Sequence, residues 1–217
     1  MKKKIILIGC SGVLGKYFLK ELKKTSKFLV AADLDVKKSL KSDRFYKTKL
    51  DVEDEENVKN FFKEILKKFG KFDVLINNAA LTSERAQKIS KGRNNKENFN
   101  KLIWDKTTSV NLGGTFLATK YFIKTQKTKK NQKIINMGSI YGSVSPHHHI
   151  YKNQNFYSSI SYSASKSGII GLTKWLATTL AKHNTTCNMI TPGGVFNKQN
   201  KKFVREYSKL LPLKKMA

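Results

Sequence analysis

The chain has 217 residues, 39% hydrophobic and 11% aromatic, which is enough for one domain with a real core and excludes a disordered polyelectrolyte. Its formal charge of +28 invites a nucleic-acid reading, yet of 43 basic residues only Arg44, Arg85, Arg93 and Arg205 are arginine, and the lysines are spread over every segment. Specific recognition by the planar guanidinium fork is therefore set aside for a solvated lysine surface, with at most loose attraction to anionic partners.

Met1-Lys2-Lys3-Lys4 leads straight into Ile5 to Ile8 with no cleavage pattern, and no apolar run approaches the roughly 18 residues of a membrane span. A cytoplasmic protein of one domain, residues 1–217, is expected. Ile5 to Ile8 reads as a buried parallel strand. It ends in Gly9-Cys10-Ser11-Gly12-Val13-Leu14-Gly15, a glycine turn before the helix-like stretch Val13 to Lys24, where backbone amides at a helix N-terminus can approach a pyrophosphate. Phe28 to Ala32 is a second strand closing on Asp33, 18 residues after Gly15. An acid there either meets the adenosine ribose, favouring NAD over NADP, or is a plain strand-end turn residue. Phe45 to Leu50 runs into Asp51-Val52, and the acidic run Glu53 to Glu56 marks a helix start. That helix carries Val58, Phe61, Phe62, Ile65, Leu66 and Phe69 at helical spacing and closes at Gly70.

Asp73 to Ile76 is the fourth strand, followed by Asn77-Asn78-Ala79-Ala80 at its carboxyl end, where open parallel sheets bind ligands. Leu81 to Asn100 reads as a long polar loop, either a mobile lip or disordered. Leu102 to Lys124 is helical, with Trp104, Phe116, Leu117 and Phe122 as core candidates. Asn111 sits awkwardly inside it and suggests a hydrogen-bonding role. Lys133 to Met137 is strand five, with Gly138-Ser139 at its end. The connection from Tyr141 to Ser161 includes His147-His148-His149, which have no acidic or cysteine partner nearby; no metal site is assigned. Cys10 and Cys187 read as reduced core residues.

A long helix is expected from about Tyr162 to His183. Tyr162 and Lys166 are four apart and share a face. A cation beside a phenol favours the phenolate and brings Tyr162 towards acid/base work, though in a lysine-rich helix the spacing alone can arise by chance. Thr186 to Ile190 is a sixth strand ending at Pro192-Gly193-Gly194-Val195. Strands alternating with helices in this way specify an α/β fold, a Rossmann-like, doubly wound parallel sheet of about six strands.

Taken in order, the glycine turn, Asp33, Asp51-Val52, Asn77-Asn78-Ala79, Asn111, Ser139, Tyr162 with Lys166, and Pro192-Gly193 resemble the short-chain dehydrogenase/reductase family. The resemblance implies an NAD(P)-dependent oxidoreductase that interconverts a secondary alcohol and a carbonyl. Its catalytic set would be Asn111 (holding a relay water), Ser139 (holding the substrate oxygen), Tyr162 (acid/base) and Lys166, a pKa-lowering cation that also meets the nicotinamide ribose. Gly9, Ser11, Gly12, Leu14 and Gly15 would hold the pyrophosphate and Asp33 the ribose. Asp51 and Val52 would meet the adenine, Asn78 and Ala79 the middle of the cofactor, and Pro192, Gly193 and Val195 the nicotinamide. NAD is preferred on Asp33, with NADP still open.

The run Gly138 to Gly142, the insert after it, and Pro192 to Asn197 resemble a branch associated with flagellin or surface-glycan modification, implying a sugar-derived substrate. Relatives form homo-oligomers, so a dimer or tetramer is expected. Ser139 and Tyr162 are 23 positions apart, longer than usual in the family, so residues 141–161 are expected to build a substrate wall. The chain stops where relatives continue to a further helix and a final strand, so a shortened C-terminus is expected, with the sixth strand left as an open edge. An alternative is a chain that keeps the fold and binds a dinucleotide or partner without catalysis.

Overall fold

The computed structural model describes residues 2–89, 100–126, 131–152 and 157–217. Lys4–Ile8 (β1) lies at the middle of a sheet, paired in parallel with Phe28–Asp33 (β2) on one side and Val74–Asn77 (β5) on the other. β2 pairs onward with Phe45–Lys49 (β4), β5 with Lys133–Met137 (β6), and β6 with Thr186–Ile190 (β7), all in parallel. All six expected strands are present, and β7 is an edge. The seventh, Leu40–Ser42 (β3), was not expected: three exposed residues that pair antiparallel with β4 and cover the opposite edge. A strand this short, with no apolar alternation, carries no periodic signal.

Alternation along β1 divides the core. Ile6 and Ile8 face one layer with Phe62, Leu75, Phe122, Ile134 and Leu176, while Ile5 and Leu7 face the other with Leu29, Ala31 and the partly buried Phe18 and Leu22. The first layer is closed by Glu55–Phe69 (α2), Gly114–Thr125 (α5) and Ile160–Leu180 (α6), and the second by Val13–Thr25 (α1). α2 forms as its sequence dictates. Asp54 caps it through the Asn57 N–H at 3.0 Å, Glu55 and Glu56 fill its first turn, Lys67 and Lys68 its last, and Gly70 ends it at φ 69°.

Three expectations need correction. The segment after β5 is not wholly irregular, because Ser83–Ile89 (α3) is helical; residues 90–99, like 153–156 of the insert, lie outside the described residues. Trp104 and Phe116 are exposed, at 39% and 48%, whereas Phe122 is fully buried and Leu117 partly. The helix over Leu102 to Lys124 is not continuous. Lys101–Thr108 (α4) passes into a π-helical turn, Ser109–Gly113, before α5 begins.

Candidate active site

The glycine turn joins β1 to α1 beneath the ends of β2 and β5. Gly9 adopts φ +90°, and a Cβ on it would stand 2.2 Å from the Ala79 nitrogen, so only glycine lets the chain after β5 pass so closely. Asn78 fastens the contact, its Nδ2 donating to the Gly9 carbonyl at 2.6 Å. Gly15 packs directly under the Gly9 carbonyl. Gly12 is different, since no atom lies within 4 Å of where its Cβ would be. It forms the N-terminal end of α1, which has neither a side-chain cap nor an acidic residue in its first turn. A helix end of this kind, opening on free space, suits an anion.

A cleft of about 270 Å³ opens there, and it gathers Gly9, Gly12, Asp33, Asp51, Val52, Asn78 and Ala79. Ser11 contributes from behind: its N–H donates to Asp33 Oδ2 at 2.8 Å, while Asp33 Oδ1 accepts from the Asp35 N–H at 3.0 Å. Leu14 is half-buried within α1. Pro192, Gly193 and Val195 follow β7 and do not line this cleft; the Pro192 carbonyl accepts from the Ile140 N–H at 3.2 Å, which brings that loop beside Ser139. Asp35, Arg85 and Lys106, which also line the cleft, were not anticipated. They lie on three separate elements and form no contiguous pattern.

Ser139, Tyr162 and Lys166 converge at the carboxyl end of β6. Ser139 is extended and caps the 3-10 turn Ile140–Gly142, accepting from the Tyr141 N–H at 3.2 Å. Gly142 lets that turn sit on α6: a Cβ there would lie 2.8 Å from the Lys166 backbone, and Ser167 Oγ donates to the Gly142 carbonyl at 2.7 Å. This sets Ser139 close enough to the Tyr162 phenol to act on its ionisation. The Lys166 ammonium lies 5.7 Å from the centre of the Tyr162 ring and donates to the Met137 carbonyl at 2.7 Å.

This corrects the expected electrostatics. Burial pushes the Tyr162 phenol up, and the nearby Ser139 only partly offsets that. Burial likewise drops Lys166 to about 8. The Lys166 ammonium is turned to the Met137 carbonyl, and the net shift of the phenol is upward.

Asn111 is buried in the π-helical turn. Its Oδ1 accepts from the Leu81 N–H at 2.7 Å, and its Nδ2 donates to the Leu81 carbonyl and to Ser165 Oγ at 3.2 and 3.0 Å. The expected hydrogen-bonding role is thus directed at the chain after β5 and at α6. Both Nδ2 hydrogens are used, which leaves one Oδ1 lone pair and makes Asn111 a bracket between the two halves of the site.

A cluster of phenols was also missed. The Tyr141 and Tyr151 hydroxyls are 3.1 Å apart, and Tyr207 of Lys201–Lys209 (α7) packs against Gly194 near Tyr141. Burial pushes Tyr207 up to about 12, and Tyr207 in turn adds to the upward shift of Tyr162. Separations of 10 and 56 residues hide such a cluster from any sequence window.

A sequence model described as short chain dehydrogenase matches residues 3–208. The chain belongs to the short chain dehydrogenase family. As a short chain dehydrogenase it is an oxidoreductase that uses a nicotinamide dinucleotide, and the open helix end at Gly12 fits such a group. It is 28% identical to the post-translational flagellin modification protein A of Campylobacter coli over 226 residues, covering the whole of this chain and 86% of that one. Among solved structures it resembles a short chain dehydrogenase from Leptospira borgpetersenii serovar Hardjo-bovis with bound NAD+. The TM-score is 0.82 and the identity 27%, over all of this short chain dehydrogenase and 81% of that chain. It also resembles an ElxO variant with NADPH bound, with TM-score 0.78 and 26% identity, over all of this chain and 86% of that one.

Proposed function

We propose that this enzyme interconverts a secondary alcohol and a carbonyl on a sugar-derived substrate, with NAD(H) preferred and Tyr162 as the acid/base. The observation that carries this reading is the convergence of the Ser139 and Tyr162 hydroxyls beside a buried ammonium at the sheet's carboxyl edge. Gly9, Ser11, Gly12, Leu14 and Gly15 would cradle the pyrophosphate, Asp33 the ribose, Asp51 and Val52 the adenine edge, and Asn78 and Ala79 the middle. Pro192, Gly193 and Val195 would face the nicotinamide. When bound, the dinucleotide supplies or takes up hydride. Ser139 holds the substrate oxygen, and Tyr162, protonated at neutral pH because burial raises its phenol, donates the proton to a forming alkoxide or recovers it in reverse. Asn111 keeps the chain after β5 and α6 in register.

Likeness to the flagellin modification protein supports the sugar reading. A hollow of about 490 Å³ between the insert and α6, lined by Ser143, Ser145, His148 and Ser163, lies beside the site and does not include Ser139 or Tyr162. The sheet running unbroken from β3 to β7 supports one catalytic domain over residues 1–217. Self-association into a dimer or tetramer is proposed through exposed aromatics such as Trp175, which is 63% exposed. A cytoplasmic location is proposed because the dinucleotide pool is there.

NAD+-dependent oxidation of a panel of sugar alcohols and nucleotide-linked sugars, followed by NADH absorbance, tests the reading. Turnover is expected to fall by about 10²- to 10⁴-fold in Tyr162→Phe and in Ser139→Ala, with dinucleotide binding kept. Binding without turnover on any alcohol or carbonyl would leave the non-catalytic alternative standing instead.

A further inference from the structure

Arg85 and Asp35 face one another across the mouth of the cleft, Nη2 to Oδ2 at 3.0 Å, joining α3 to the turn after β2. Arg85 is the one arginine among the described residues that line the cleft, and the lining cation Lys106 is ion-paired with Glu53. α3 is held from its other side. Ser83 Oγ meets Ser159 Oγ at 3.1 Å and accepts from the Ser159 N–H at 3.0 Å, and the buried Gln87 donates to the Tyr157 carbonyl at 2.8 Å. α3 is therefore anchored on the N-cap of α6 and the segment just before it.

Resting on the dinucleotide reading above, we propose that the Asp35–Arg85 pair sets the choice between NAD and NADP. A ribose 2′-phosphate at the end of β2 is welcomed by a nearby arginine and opposed by carboxylates. Asp33 already spends one lone pair of each oxygen on backbone N–H groups. Asp35 acts by occupying the guanidinium that a 2′-phosphate would otherwise take; its own charge, half exposed and paired, is screened. The pair is about half exposed at each partner, so it can exchange when its carboxylate is removed. The bond from the Asp35 backbone to Asp33 is untouched by a change of the Asp35 side chain.

The test is calorimetric titration of the full chain with NAD+ and with NADP+. The wild type is expected to favour NAD+. Asp35→Asn should tighten NADP+ about tenfold relative to NAD+, the scale of one charge-assisted contact. Adding Arg85→Ala to Asp35→Asn should cancel the gain. An NADP+ affinity unchanged relative to NAD+ in Asp35→Asn, or a gain that survives loss of Arg85, would overturn the proposal. Failure of the wild type to bind either dinucleotide would instead remove the reading on which it rests, and the proposal with it.

Discussion

Burial moves Tyr162 and Lys166 away from their ordinary ranges in opposite senses, so both are neutral over a wider span of alkaline pH than free side chains. For Lys166 the consequence is measurable. Its folded pKa of about 8 lies below its ordinary 10.5, so between these values the unfolded chain binds more protons and stability rises with pH. Below pH 8 the lysine is charged in both states and contributes no slope. Above about pH 10 the raised pKa values of Tyr141, Tyr151, Tyr162 and Tyr207 act oppositely, because the unfolded chain loses those protons first. Denaturant melts from pH 7 to 10 should show a rise on the order of 2 kcal/mol in the wild type that is absent in Lys166→Met. Parallel curves for the two proteins would show that the ammonium is solvated. The spacing of Tyr162 and Lys166 was legible in the sequence; the direction of the ammonium was not, because it depends on Met137, 29 residues away.

At the scale of elements, the site depends on close approaches that small residues permit. The turn Ile140–Gly142 rests on the α6 backbone only because Gly142 has no side chain. Gly142→Ala should lift that turn, separate Ser139 from Tyr162 and lower turnover at least about tenfold. Its cost in stability should be about 1–3 kcal/mol, with NADH affinity nearly unchanged. Thermal melts and steady-state rates check it; unaltered turnover would mean that Ser139 is not placed by this contact. α2 could be read residue by residue from its cap, apolar stripe and closing glycine, since each signal is local. The π-helical turn at Asn111 could not, because it is stabilised by Leu81 and Ser165, 30 and 54 residues away. Trp104 and Phe116 misled for a related reason: helical spacing shows that residues share a face and leaves open whether a partner covers it.

For the whole molecule, alternating strands and helices pointed to the parallel sheet, and the six expected strands fell on its six parallel strands; apolar runs such as Ile5 to Ile8 were legible because buried parallel strands are continuous in sequence. Charge was the least informative feature. A net +28 coexists with a cleft lined by Asp33, Asp35, Asp51 and Glu53, so the surface average does not describe the site. On the proposed reading the helix end at Gly12 receives the dinucleotide, and Gly12→Leu isolates that contact. The added side chain meets open space, in a backbone conformation with φ −69° that any residue adopts. NADH fluorescence titration should give saturable binding to the wild type, and loss of binding in Gly12→Leu at unchanged melting temperature. Equal NADH binding by both proteins, or none by the wild type, would contradict the account.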